Sequence, residues 1–262
     1  MLRGEASWDD VDAALEQHAD FLRRFVAEQR VQTNEVQRCW MLLPCLLELS
    51  RRTGWSTFDV IEFGPSAGLL LYWDRYRYRY DAGSWGDDDA PLELRGEERR
   101  PVPADLLELR PVVRSRVGVD IDPVDVTTDE GALLLRSFVW ADNHERLERL
   151  DQAVEALRRD PPSLVRGNFV DVLPEYLERR GDDALTVIMQ VASGGYLDEP
   201  ERERLRAIYA RAGEEGPLAV LGTAQPDDGS HYYWGLRLLV WPGRESEIVA
   251  HGDFHGRWLE WL

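Results

Sequence analysis

VIEFGPSAGLL, residues 60–70, decides how this chain is read. Phe58, Val60 and Ile61 form a short apolar run, the pattern of a strand buried on both faces. The run ends in an acid, Glu62. A loop containing Gly64, Pro65, Ser66 and Gly68 then leads at once into an apolar helical segment through Leu71. Strand, glycine-bearing loop and helix in direct succession open a βα unit of an α/β sheet, and ligands of such sheets bind beyond the carboxyl ends of the strands. Glycine lets a ligand approach the backbone closely, and a helix start offers free N–H donors. The loop lacks the Gly-Lys-Ser/Thr of a P-loop. Ser66 stands where a dinucleotide fingerprint has its middle glycine, which weakens a nicotinamide oxidoreductase reading.

Upstream, residues 1–54 read as a helical cap. Ser7 is a suitable N-cap with Asp9 and Asp10 in the first turn, and Val11, Leu15, Leu22, Phe25 and Val26 recur at helical spacing. A second helix is predicted from about Thr33 to Arg52, kinked at Pro44. Downstream, residues 55–262 read as one α/β domain. Tyr76-Arg77-Tyr78-Arg79-Tyr80 alternates with period two, three Tyr on one face and two Arg on the other. With the turn-rich DAGSWGDDD it predicts a β-hairpin insertion at about 75–96. Strands at 115–119, 163–166, 185–191 and 218–223 alternate with helices at 129–140, 143–159, 172–180 and 200–212. Trp234–Trp241 and Ser246–Ala250 flank the turn Pro242-Gly243-Arg244, too close for a helix, so they pair antiparallel. The expected architecture is a mostly parallel Rossmann-like sheet closed by an antiparallel terminal strand at its edge.

The polar residues at predicted strand ends form the candidate ligand site. VGVDIDP, residues 117–123, puts Asp120, with Asp122 second, at the end of the next strand, where ribose hydroxyls are held in such folds. RGNF, residues 166–169, puts Asn168 and Phe169 past the following strand, and Gln190 ends the one after. Here the chain resembles the class I S-adenosylmethionine-dependent methyltransferases, in its acidic-x-Gly-x-x-x-Gly loop, second-strand acid, third-strand polar residue and closing hairpin. More closely, it resembles a bacterial, mainly actinobacterial, family of unknown function with that fold. The residues that carry this are TNEVQRC at 33–39, EFGPSAG at 62–68, YWDRYRYRY at 72–80, GVDIDP at 118–123, VWADNHERLERL at 139–150 and HGRWLEWL at 255–262.

The methyltransferase resemblance implies S-adenosylmethionine as cofactor. Glu62 would meet its methionine ammonium, the Gly64–Gly68 loop would pass under methionine and ribose, Asp120 would take the ribose hydroxyls, and Asn168 with Phe169 the adenine. The acceptor would be a small molecule or a protein side chain. No Asn/Asp-Pro-Pro-Tyr/Phe follows the fourth strand, where the chain reads MQVASGGYL, so amino-group methylation of a DNA base is not indicated. Candidates for the substrate side are Asn34 and Arg38, one helical turn apart, then Trp73, Arg75 and Tyr76, and then His144, Tyr196 and His255. Each has a structural alternative: a solvated helix face for Asn34 and Arg38, an exposed hairpin for the Tyr/Arg segment, a cap for His144. His255, with His251, Arg257, Trp258 and Trp261, belongs to either a lid or a docking tail. The rival to an enzyme is a non-catalytic module of this fold that serves a partner protein.

Composition narrows the classes further. The 262 residues carry 31 Arg, no Lys and 49 Asp and Glu, a formal charge of −18, so nucleic-acid binding is not expected. Cys39 and Cys45 form no C-x-x-C and no histidine lies at metal-ligand spacing, so buried free thiols, no metal and a reducing, cytoplasmic setting are expected. The first ten residues are acidic and lack a signal-peptide pattern, and apolar runs such as Trp40–Leu47 are too short to span a bilayer.

Overall fold

The computed structural model describes residues 7–262; the reading of the chain's first residues as a non-signal segment lies in part outside them. The apolar run at the decisive stretch is strand β1, Thr57–Phe63. It lies between β8 and β6 in a nine-stranded sheet ordered β5-β12-β11-β10-β9-β8-β1-β6-β7. These are β5 (Glu97–Arg100), β6 (Val112–Asp120), β7 (Ser163–Arg166), β8 (Leu185–Gln190), β9 (Leu218–Ala224), β10 (Trp234–Trp241), β11 (Glu245–Gly252) and β12 (Trp258–Trp261). From β7 to β9 every pairing is parallel. The fold is Rossmann-like: from β1 the chain crosses to β6 and β7 on one side, then returns to β8 and β9 on the other. The order therefore reverses between β1 and β8, and open sheets of this kind have their crevice at the carboxyl ends of such a pair.

The closing hairpin is present, but it does not make the edge. β10 runs antiparallel between β9 and β11, and the edge is extended by β12 and by β5, which pairs parallel to β12. The missing helix between β10 and β11 dictated their antiparallel pairing. It said nothing about what pairs on β11's far side, where the supposed lid or tail forms β12 instead.

Two apolar layers sandwich the sheet, as alternation along buried strands requires. On one face Phe58, Val60, Val187, Met189 and Leu221 pack with α3 (Arg38–Thr53), α4 (Asp129–Ser137) and α5 (His144–Arg159). On the other Ile61, Val119, Ile188 and Val220 meet α6 (Phe169–Glu178) and α7 (Glu199–Glu215). Helix α3 is buried from Arg38 to Ser50, so it is apolar nearly all round; Pro44 lies inside it. It starts five residues later than predicted, because residues 33–37 form a turn and extended segment. The cap's first part is two helices, α1 (Trp8–Gln17) and α2 (Ala19–Glu28), parted at His18. Neither has a buried residue. Ser7 and Asp10 form the α1 capping box.

The insertion is a three-stranded sheet, β2 (Arg77–Tyr80), β3 (Gly83–Trp85) and β4 (Glu93–Arg95), with β2–β3 a hairpin and β4 parallel to β2. The period-two segment behaves as read: Tyr76, Tyr78 and Tyr80 are buried and Arg79 is exposed. The helix after the glycine loop is corrected to 3-10 turns over Leu69–Arg75. No helix among the described residues is long and apolar enough to cross a membrane.

Candidate functional site

Strand β1 delivers Glu62 to the crevice, and the sheet around it denies that carboxylate solvent. Glu62 is 2% exposed, and its Oε2 is buried without a hydrogen-bond partner. Burial, with the nearby Asp120 adding to it and Arg38 opposing, pushes its pKa up to about 8. It is therefore mostly protonated at neutral pH. The loop that follows is held by three left-handed residues, Gly64 (φ 70°), Ser66 (φ 53°) and Gly68 (φ 81°). Gly64 N–H donates to Val119 O at 2.9 Å. Pro65 lies over Gly118, where a Cβ would come 2.5 Å from its ring. Ser66 adopts a conformation that favours glycine, and it is repaid: its N–H donates to Asp120 Oδ2 at 2.8 Å and its O accepts from Val124 N–H at 3.1 Å. Its buried Oγ has no partner.

Asp120 thus clamps the loop. Its Oδ1 also accepts from Asp122 N–H at 2.8 Å. A carboxylate has about four lone-pair sites, so acceptor capacity remains. Asp122 is exposed and ion-paired with Arg166 at 2.7 Å. The segment before α3 lies across both loops: Gln32 Nε2 donates to Asp122 O at 2.9 Å and Asn34 Nδ2 to Pro65 O at 3.3 Å. Glu62, the glycine loop, Asp120, Asn34 and Arg38 are brought together at one rim.

The adenine side is arranged otherwise than expected. Asn168 is the N-cap of α6, its Oδ1 accepting from Val170 N–H at 2.9 Å and its Nδ2 donating to Glu201 at 2.8 Å. Phe169 is 1% exposed and stacks on Phe63 at 4.4 Å between ring centroids, so its ring belongs to the core. Gln190 ends β8, and its Oε1 accepts from the Tyr209 hydroxyl at 3.3 Å.

Trp73 and Tyr76 are fully buried, and the Tyr76 hydroxyl donates to Leu69 O at 3.0 Å, so neither faces a cleft. A side chain's period along a strand shows its face, not which face meets the core. Arg75 pairs with Asp160 at 2.6 Å on the outside, and His144 is an exposed first residue of α5. Tyr196 is exposed at the rim beside Arg38. His255 is half-buried; burial chiefly, then the Arg146 and Arg38 charges, lowers its pKa, with Glu35 and Asp253 opposing. Cys39 and Cys45 are buried free thiols whose pKa values burial raises. No cluster of metal-ligating side chains occurs among the described residues.

The sequence reading missed a cavity of about 340 Å³ beyond β8 and β9. Trp234, Phe254, Tyr233, His231, Thr223 and Gln225 are among its walls. Gln225, His231 and Tyr233 come from the β9–β10 connection, which carries no periodic signal. Trp234 packs edge-on to Phe254 at 5.1 Å, and the Arg38 guanidinium lies 5.0 Å from the Trp234 ring on the crevice side of the same helix start. Glu35 and Arg146 were also missed as a pair; they join at 2.6 Å.

The profile of a bacterial family described as "Uncharacterized protein conserved in bacteria (DUF2332)" matches residues 2–261. The chain belongs to this family. No curated protein matches it. Among solved structures, the chain is similar to an S-adenosylmethionine-dependent methyltransferase from Clostridium acetobutylicum ATCC 824. The identity is 10%, over 90% of this chain and 78% of that one, with a TM-score of 0.33. A likeness of that size carries no argument, so the fold of this family member rests on its own strand order.

Proposed function

We propose that this family member binds S-adenosylmethionine in the crevice between β1, β6 and β8 and methylates a small molecule or a protein side chain. The observation that carries this is the buried, unpartnered Oε2 of Glu62 at the switch in strand order. A buried carboxylate without a partner is costly, and a ligand ammonium beside it would supply what the fold withholds. The donor set fits the cofactor. Glu62 faces its cationic end, Asp120 keeps acceptor sites for a diol, and the left-handed turns at Gly64 and Gly68 shape the loop between them. Bound there, the cofactor supplies an electrophilic methyl group on a sulfonium. The chain's own residues bind, orient and exclude water, and the cavity beside Trp234 gives an acceptor its place.

A specific observation favours a second reading, a non-catalytic module. Asn168, Phe169 and part of Asp120 serve the fold itself. The exposed patch of C-terminal tryptophans that this reading expects is not seen, because Trp261 is buried in β12 and Trp258 is half-buried with Arg99 stacked on it at 3.6 Å.

Calorimetry with S-adenosylmethionine and its demethylated product separates the two. Asp120→Ala and Glu62→Gln should each weaken binding by about tenfold, the loss of one charge-assisted contact. No heat at millimolar ligand would leave the module. A cation favours ionised Glu62, so affinity should rise with pH up to about 8 and then level off. A flat profile across that range would detach Glu62 from the ligand.

A further inference from the structure

Two helix starts meet beside the crevice and bring more positive charge than the protein balances there. Arg38 opens α3, and Arg146 lies in the first turn of α5. Arg38 is 7% exposed. Its Nε donates to Phe254 O at 2.9 Å and its Nη1 to Thr33 O at 3.2 Å, both neutral carbonyls. No carboxylate among the described residues lies within 4.0 Å of it, whereas Arg146 holds Glu35 at 2.6 Å. Glu35 also accepts from Gln37 N–H at 3.1 Å, so its two oxygens are engaged. Burial lowers the Arg38 pKa, with Glu35 opposing and Arg146 adding to the fall. The other acid facing it, Glu62, is largely protonated at neutral pH. His255 follows Phe254, whose carbonyl Arg38 holds, and its Nδ1 is buried and unpartnered. One buried guanidinium is left without an anion, in a chain whose formal charge is −18. Taking such a group out of water without a counter-charge is costly, and two neutral carbonyls offset only part of that cost.

We propose that Arg38, with Arg146 and His255 beside it, binds the carboxylate of a ligand that enters the crevice. The guanidinium fork matches a carboxylate edge, and a single unbalanced charge matches a monoanion. A phosphate dianion would bring a second negative charge beside the Glu35 carboxylate that Arg146 already pairs. Two sources bring this chemistry. One is the amino-acid end of the cofactor, whose ammonium then falls to Glu62; the other is an acceptor whose ring occupies the cavity walled by Trp234 and Phe254. The inference rests on the crevice being a ligand site, not on methyl transfer.

Two matched pairs of probes test it by calorimetry at pH 7. S-adenosylhomocysteine is compared with its decarboxylated analogue, which keeps the ammonium and lacks only the carboxylate, and indole-3-acetate with indole-3-acetamide. In at least one pair the acid should bind about tenfold more tightly or better. Arg38→Gln should erase that advantage and leave the affinity of the partner without the carboxylate within about twofold. The pair that responds names the source. Equal affinities in both pairs, or an advantage that survives Arg38→Gln, would overturn the assignment. Should Arg38→Gln fail to fold, Arg38→Lys decides: it keeps the charge without the fork, and it should lose part of the acid's advantage. Indole-3-acetate binding with no nucleoside binding would sink the cofactor reading and leave the carboxylate site standing.

Discussion

Glu62 shows how a single side chain couples the crevice to stability. Its pKa rises from 4.5 to about 8 on folding, so between those values the folded chain holds a proton that the unfolded chain has released. The stability this confers is complete below the lower value and is lost as pH rises through the upper one. Glu62→Gln cannot titrate and should lack that slope. Above pH 8 the variant should exceed the native chain in stability, by about 2 kcal/mol, while near pH 4 the order narrows. Urea unfolding at pH 4, 6.5 and 9 measures this, and parallel stability curves would show that Glu62 is solvated. Gly68 is a second residue-scale case. Its φ of 81° is left-handed, and a Cβ would come 2.9 Å from Pro162. Gly68→Val should therefore destabilise the loop itself as well as weaken a ligand, by about 2 kcal/mol in urea unfolding.

Among the elements, α6 illustrates a residue whose role the sequence suggested in kind but not in use. Asn168 follows a strand and precedes an apolar helix, which fits both a ligand contact and an N-cap. The structure spends it on the cap and on the tie to Glu201, which is itself part of the α7 capping box with Asp198. Asn168→Ala should cost about 1 kcal/mol in unfolding free energy, and the loss should shrink in a Glu201→Ala background because the two share a bond. Additive losses would show that the tie contributes nothing. The 3-10 turns at Leu69–Arg75 are a comparable element: the run LLLYWDR has helical composition, yet it forms the tighter turn, and Leu69 O accepts from the Cys39 thiol of α3 and from the Tyr76 hydroxyl.

At the scale of the molecule, burial is divided unevenly. Helix α3 is enclosed from Arg38 to Ser50, while α1 and α2 bury nothing and leave Trp8, Phe21 and Val26 exposed. Amide hydrogen exchange should find α3 and the β1, β8 and β9 core protected to near the global unfolding free energy, and α1–α2 exchanging faster by orders of magnitude. Equal protection would mean that the first two helices are covered in solution. Periodicity was enough to read β1, the βα alternation, the tyrosine face of β2 and the antiparallel β10–β11 pair, because each depends on the spacing of neighbours in the chain. Glu62, Asp120 and the glycine loop were legible as a rim for the same reason: strand ends in an open sheet share one edge. What lay beyond that reading was every relation between distant segments. Whether Asp120 faces a ligand or the Ser66 N–H, which arginine Glu35 serves, where β12 and β5 attach, and that residues 223–234 and 254 enclose a cavity are set by which surfaces meet on packing. Local sequence determines how a side chain alternates along its own element; only the assembled sheet and its two helical layers decide which neighbours take up its charge.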